Sequence, residues 1–166
     1  MKNCLPKLPE NPADIFHLPY ASDGDFNQHD LIEHVIKFYN IACSLRLSSF
    51  SISENAVRSL LRLRQDGLLA RASCIFDLSV KRHRLGLLFF GVNVADEIYL
   101  SKNHSKIILF DFGAFKLCSV GSANMNVNDK LEAGMITNDR AVYAFFLDVF
   151  NNKTTNSLKI DNNEFI

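Results

Sequence analysis

The sequence predicts an α/β fold with a mixed, mostly parallel central sheet flanked by helices on both faces. Three observations predict it. Strand-like and helix-like stretches alternate between residues 41 and 100, the order expected of crossovers over parallel strands. Lys106–Phe110 is a continuous apolar run after its first residue, as in a strand covered on both faces. Amphipathic stretches at helical spacing stand before and after this core, at residues 28–40 and 139–150.

Taken in order, residues 1–27 hold all four prolines, at 6, 9, 12 and 19, together with Asp23-Gly24-Asp25. They read as an extended arm ahead of the domain. From Gln28 to Asn40, Leu31, Ile32, Val35, Ile36 and Tyr39 share one helical face. Ile41–Phe50 then alternates as a strand does, with Ile41, Cys43, Leu45 and Leu47 on one side. Ser53 is placed to cap a second helix, which Val57, Leu60 and Leu61 continue and Gly67 stops. Leu68–Phe76 is the next strand, Lys81–Phe90 a third helix ended by Gly91, and Val92–Leu100 another strand. Asp111-Phe112-Gly113 turns the central run into a partner strand, Ala114–Val120, so the two form a hairpin. Leu131–Thr137 is a short last strand, and Asp139 caps a final helix. The organisation expected is an arm over 1–27, one domain over 28–150 and a tail over 151–166. A chain of 166 residues suits one domain.

Eighteen basic and eighteen acidic residues cancel, which argues against non-specific coating of nucleic acid or anionic membrane. The distribution is uneven. Residues 46–84 carry seven arginines and Lys81 against Glu54, Asp66 and Asp77. Two readings of this stretch stand: a basic face for phosphate, with Lys81, Arg82 and Arg84 as substrate-binding candidates, or a solvated helix surface. Cys4, Cys43, Cys74 and Cys118 are far apart, without the paired spacing of a zinc site or a disulfide framework, and read as reduced thiols. Pro6, Pro9 and Pro12 follow the first residues where a leader would be apolar, and no stretch approaches a membrane span. A cytoplasmic protein without stable membrane association is expected.

Of five histidines, His17, His29, His34 and His83 have no companion pattern that marks a site. His104 does. His104 and Lys106 lie at the entry to the central strand, where alternation puts both side chains on one face, about 7 Å apart along the strand. Gly121-Ser122-Ala123-Asn124 follows the partner strand and Glu132 comes shortly after. This assortment suits attack at phosphorus: imidazole is a competent nucleophile near neutral pH, and non-bridging oxygens need fixed cationic and amide donors, for which Lys106 and Asn124 are candidates. Glu132 is a candidate to hold the imidazole tautomer.

As a whole the pattern resembles the phospholipase D superfamily, whose hallmark is His-x-Lys, four residues, Asp, then Gly-Ser-x-Asn. Here it reads His104-Ser105-Lys106, four residues, Asp111, then Gly121-Ser122-Ala123-Asn124, with Glu132 eight residues on. The element order over about 28–150 is also similar to the small single-motif bacterial endonucleases of that superfamily. Nine residues separate Asp111 from Gly121, about three more than is usual there, and a longer hairpin absorbs them.

The resemblance implies His104, Lys106, Asn124 and Glu132 as catalytic residues, with Gly121, Ser122 and Asp111 supporting. It implies two motifs meeting across a twofold axis, and with one motif in the chain the symmetric solution is a homodimer. One His104 then forms a phosphohistidine and the other protonates the leaving oxygen. No metal and no cofactor are called for. Nucleic acid is the expected substrate. The alternatives are a phospholipase D-like lipid hydrolase or transferase and a catalytically inactive nucleic-acid-binding dimer.

Overall fold

The computed structural model describes residues 5–126 and 129–160. The elements run β1 (His17–Asp23), α1 (Gln28–Tyr39), β2 (Cys43–Ser49), α2 (Glu54–Gln65), β3 (Leu69–Asp77), α3 (Ser79–His83), α4 (Leu85–Gly91), β4 (Glu97–Ser101), β5 (Ile107–Asp111), β6 (Lys116–Gly121), β7 (Leu131–Thr137), α5 (Arg140–Thr155) and β8 (Leu158–Ile160).

The strands form one sheet in the order β1-β7-β6-β5-β2-β3-β4-β8. Helices cover both of its faces, as expected, but the sheet is mostly antiparallel, which corrects the expectation of a mostly parallel one. Only β2–β3 and β3–β4 pair in parallel among the described strands. These are the two crossovers legible in the sequence. The hairpin series β5-β6-β7 adds antiparallel pairs, and β5 also meets β2 antiparallel. The remaining two pairs come from stretches read as arm and tail. β1 extends the sheet beside β7, and β8 extends it beside β4.

The segment before β1 lies along α1, where the Tyr39 hydroxyl donates to the Pro9 carbonyl (3.1 Å) and His34 Nε2 lies 3.0 Å from the Pro6 carbonyl oxygen. Residues 161–166, the end of the expected tail, lie outside the described residues, as do residues 1–4 with Cys4.

Local chemistry sets the helix limits. The Asn27 N–H donates to Asp30 Oδ2 (2.8 Å) at the start of α1, and Asn40 closes it at φ 51°. Ser53 Oγ caps α2 by accepting from the Ala56 N–H (3.3 Å), and Asp139 caps α5 through the N–H groups of Ala141 and Val142. The single helix expected over 81–90 is two short ones, because Arg84 departs from helical backbone (φ −142°, ψ 40°). Alternation through β5 feeds two cores. Ile108 and Phe110 join α1, α2 and α4 on one face, and Ile107 and Leu109 join Tyr143 and Phe150 of α5 on the other. Cys43, Cys74 and Cys118 are buried free thiols, and burial pushes each one up to about 12.

This topology gathers chemistry at one end of the sheet. The carboxyl ends of β2, β3, β4 and β6 and the entries of β5 and β7 all open there, the position that open α/β sheets favour for ligands.

Candidate active site

His104 and Lys106 occupy the turn from β4 into β5. Lys106 Nζ donates to the His104 carbonyl (2.7 Å) and lies 3.0 Å from the imidazole Nδ1 and 3.4 Å from Nε2. His104 is exposed, whereas Lys106 is only 8% exposed. Burial lowers the Lys106 pKa, and the negative charge of Glu132 opposes part of that shift.

The turn is pinned from below by Asn103, 6% exposed. Its Oδ1 accepts from the Ser105 N–H (3.2 Å) and hydroxyl (2.7 Å) and from the Ser48 hydroxyl (3.3 Å). Its Nδ2 donates to the Ser49 carbonyl (3.1 Å), and its backbone N–H donates to Asp77 Oδ2 (3.0 Å). Burial alone would raise the Asp77 pKa, but the donors from Ser79, Asn103 and Leu78 outweigh it and hold the carboxyl below its usual value. One residue, immediately before His104, therefore ties β2 and β3 to the turn that leads into β5. A buried polar network of this kind fixes a single backbone geometry when each member is paired.

One wall of the site is Phe50, at the exit of β2. Its ring centroid stands 5.1 Å from that of His104, and Lys106 Nζ lies 5.9 Å from it. The Phe50 N–H donates to Asn124 Oδ1 (3.3 Å), so Asn124 reaches the site beside this ring. The loops carrying both residues are laced together. Ser53 donates to the Met125 carbonyl from its N–H and its hydroxyl (2.9 Å each), the Met125 N–H donates to Ser49 Oγ (3.0 Å), and Ser51 Oγ donates to Asn126 Oδ1 (2.6 Å).

A row of paired residues forms the floor on the other side. Tyr20 pairs with Gly134, Gly134 with Gly121, and the Gly121 N–H donates to the Lys106 carbonyl (3.2 Å). The hairpin thus sets Gly121 opposite Lys106, through a tight turn at 112–115 and paired strands rather than a slack loop. The two glycines leave room for the Tyr20 ring. A Cβ on Gly121 would come within 2.8 Å of the Tyr20 hydroxyl, and one on Gly134 would overlap the phenol ring. That hydroxyl meets Ser119 Oγ at 3.1 Å. Burial raises its pKa, against the Ser119 hydrogen bond, and the nearby Glu132 charge raises it further. Glu132, one residue past the start of β7, is thus felt electrostatically by both Lys106 and Tyr20.

Not every expected residue meets here. The Ser122 hydroxyl is turned to the β7 backbone, accepting from the Ala133 N–H (3.0 Å). Asp111 stands at the far end of β5, where Oδ1 accepts from the Gly113 N–H (2.9 Å) and Oδ2 pairs with Lys116. Lys81, Arg82 and Arg84 are exposed on α3 and its junction with α4, shortly after Asp77 at the site end. Among the described residues, no three His, Cys, Asp or Glu side chains gather as a metal site would require, and no helix is long and apolar enough to cross a membrane.

Tyr20, Phe50 and Asn103 were not marked by the sequence reading. Asn103 had the clearest signal, an amide directly before His104. The pairing of Tyr20 with two glycines emerges only once the register of β1, β7 and β6 is known.

No protein-family model matches the chain, and no curated protein matches it in sequence. Solved structures do match in fold. Nuc, a phospholipase D family member from Salmonella typhimurium, aligns with a TM-score of 0.71 at 14% identity, over 90% of this chain and 100% of that chain. NucT from Helicobacter pylori aligns at 0.66 and 13% identity, over 89% and 100%. The phosphatidylserine synthase of Haemophilus influenzae Rd KW20 aligns at 0.63 and 12% identity, over 90% of this chain but 41% of its own. With His104, Lys106 and Gly121 set side by side at one end of such a sheet, the chain has the fold of the phospholipase D superfamily.

Proposed function

We propose that this protein is a phosphodiesterase, a nuclease that cleaves nucleic-acid phosphodiester bonds without a metal ion in a composite site of a homodimer. The observation that carries the reading is the buried Lys106 ammonium held against the His104 imidazole in a turn fixed by Asn103. A phosphodiester arriving there offers a non-bridging oxygen in place of the imidazole as acceptor for Lys106 Nζ. The freed imidazole then attacks phosphorus, forming a P–N bond as the P–O bond to the leaving strand breaks. The leaving oxygen takes a proton from His104 of the second subunit. That same imidazole then removes a proton from water, whose oxygen attacks phosphorus and releases the first His104. The Lys106 ammonium and the Asn124 amide N–H donate to the non-bridging oxygens and stabilise their charge, as preorganised donors do for a developing oxyanion. Glu132 supports the positive charge of the site.

The nucleic-acid reading draws support from size. The chain aligns with the whole of two short relatives of the same fold but with under half of the synthase. The exposed Lys81, Arg82 and Arg84 stand at the same end of the sheet as counter-charges for phosphate.

The test is cleavage of DNA and RNA oligonucleotides in EDTA, alongside headgroup release from phosphatidyl vesicles, with light scattering on the same sample. The expected result is cleavage by a dimer, lost in His104→Ala. Undiminished cleavage by His104→Ala, or headgroup release without any cleavage of nucleic acid, overturns the reading. A monomer mass for the active species removes the composite site.

A further inference from the structure

Phe50 is a large apolar side chain left 36% exposed at the rim of the site, beside the exposed His104. It does not cover the core. Its ring packs against the imidazole at 53° and carries the Lys106 ammonium 5.9 Å from its centroid. Its backbone is held by Asn124, and its loop by the four hydrogen bonds that lace residues 49–53 to 125–126. An aromatic ring presented rigidly to solvent loses little conformational freedom when a flat partner settles on it. The partner such a ring fits, one step along a chain from a phosphate held by His104 and Lys106, is a nucleobase.

From this geometry we infer that Phe50 is a stacking platform for the base beside the scissile phosphate, and that the substrate is therefore single-stranded nucleic acid. The inference rests on the nuclease reading above. In a duplex both faces of each base are covered by neighbours, so the ring has nothing to receive. In a single strand a base turns onto the ring without losing a pair, and stacking is indifferent to which base it is. The cations nearby add affinity for the backbone in either form. Phe50 thus selects strandedness and leaves sequence unselected.

The alternative role for Phe50 is to wall the imidazole and nothing more, and base-free substrates separate the two. Binding is measured by fluorescence anisotropy with short phosphorothioate-linked oligonucleotides, one with bases, one abasic throughout and one duplex, for the wild type, Phe50→Leu and Phe50→Trp. The expected result is tighter binding of the base-bearing single strand than of the abasic one. That preference should fall about tenfold in Phe50→Leu, the scale on which losing a stacking aromatic weakens binding, and be retained in Phe50→Trp. Equal binding of the base-bearing and abasic strands by the wild type, or an unchanged preference in Phe50→Leu, overturns the inference. Cleavage of ordinary oligonucleotides by the wild type is scored separately. Intact base preference without cleavage counts against the nuclease reading alone, and cleavage without base preference counts against the platform alone.

Discussion

The β5–β6 hairpin carries a lysine at each end, and the two differ in almost everything but residue type. At the turn, Lys116 is half-exposed and pairs with Asp111, under the Tyr143 ring. At the open end, Lys106 is buried, and its hydrogen bonds run to the carbonyl and imidazole of His104. Water screens the first pair, so it contributes little, on the order of 0–1 kcal/mol. The second ammonium sits where burial disfavours its charge and the Glu132 charge offsets part of that cost. Asp111 and Lys106 are spelled in one motif. They stand at opposite ends of a strand, Asp111 at the turn and Lys106 beside the imidazole of the proposed site.

Substitutions sharpen this contrast, and the largest effect belongs at the open end. His104→Ala removes the proposed nucleophile and should lower turnover by at least about a thousandfold, the scale of losing a covalent catalyst. Lys106→Ala should cost about a hundredfold to a thousandfold, as loss of one preorganised donor does. Both proteins should keep a cooperative thermal transition, read by circular dichroism. Comparable turnover in Lys106→Ala and the wild type would erase the distinction between the two lysines.

Asn103→Ala comes next. It takes a partner from Ser48 and Ser49 on β2 and from Ser105 in the turn before β5, and a buried polar group left unsatisfied costs about 1–3 kcal/mol, checked by urea unfolding. Turnover should fall beyond the unfolded fraction, since the turn carrying His104 loses its anchor.

A smaller effect concerns pH. The proposed mechanism uses Lys106 as the ammonium, and burial lowers its pKa, so activity should fade at alkaline pH before the ordinary lysine range. Glu132 acts in the raising direction, so Glu132→Gln should move that alkaline limb to still lower pH in a pH–rate profile. A limb that stays in place, or moves up, contradicts the coupling. Asp111→Asn should show the smallest effect: at most about 1 kcal/mol in unfolding and turnover within about twofold of the wild type, because the turn keeps an acceptor for the Gly113 N–H.

Helical periodicity located α1, α2 and α5, because amphipathic spacing and capping residues act within a few positions. The same local signals found the two parallel crossovers. They failed for β1 and β8, whose partners β7 and β4 lie far away in sequence and whose own residues alternate too weakly to announce a strand. The sheet therefore came out more antiparallel than expected. In the site, His104 and Lys106 were legible because they stand in the larger pattern with Asp111 and Gly121-Ser122-Ala123-Asn124. Alternation predicts them along a strand, whereas both lie in the turn before β5. The Ser122 hydroxyl bonds to the β7 backbone, a partner that spacing does not reveal. Phe50 and Tyr20 reach the site only through tertiary register, Phe50 from the exit of β2 and Tyr20 across two glycines.

The central claim is that His104 is the nucleophile, and the most direct measurement is to trap it. A single-turnover reaction with radiolabelled oligonucleotide in EDTA, quenched in alkali and mapped by mass spectrometry, should give an acid-labile phosphoryl adduct on His104. The adduct should be absent in His104→Ala. Cleavage at the wild-type rate with no adduct on His104, or with the adduct on another side chain, would contradict the account.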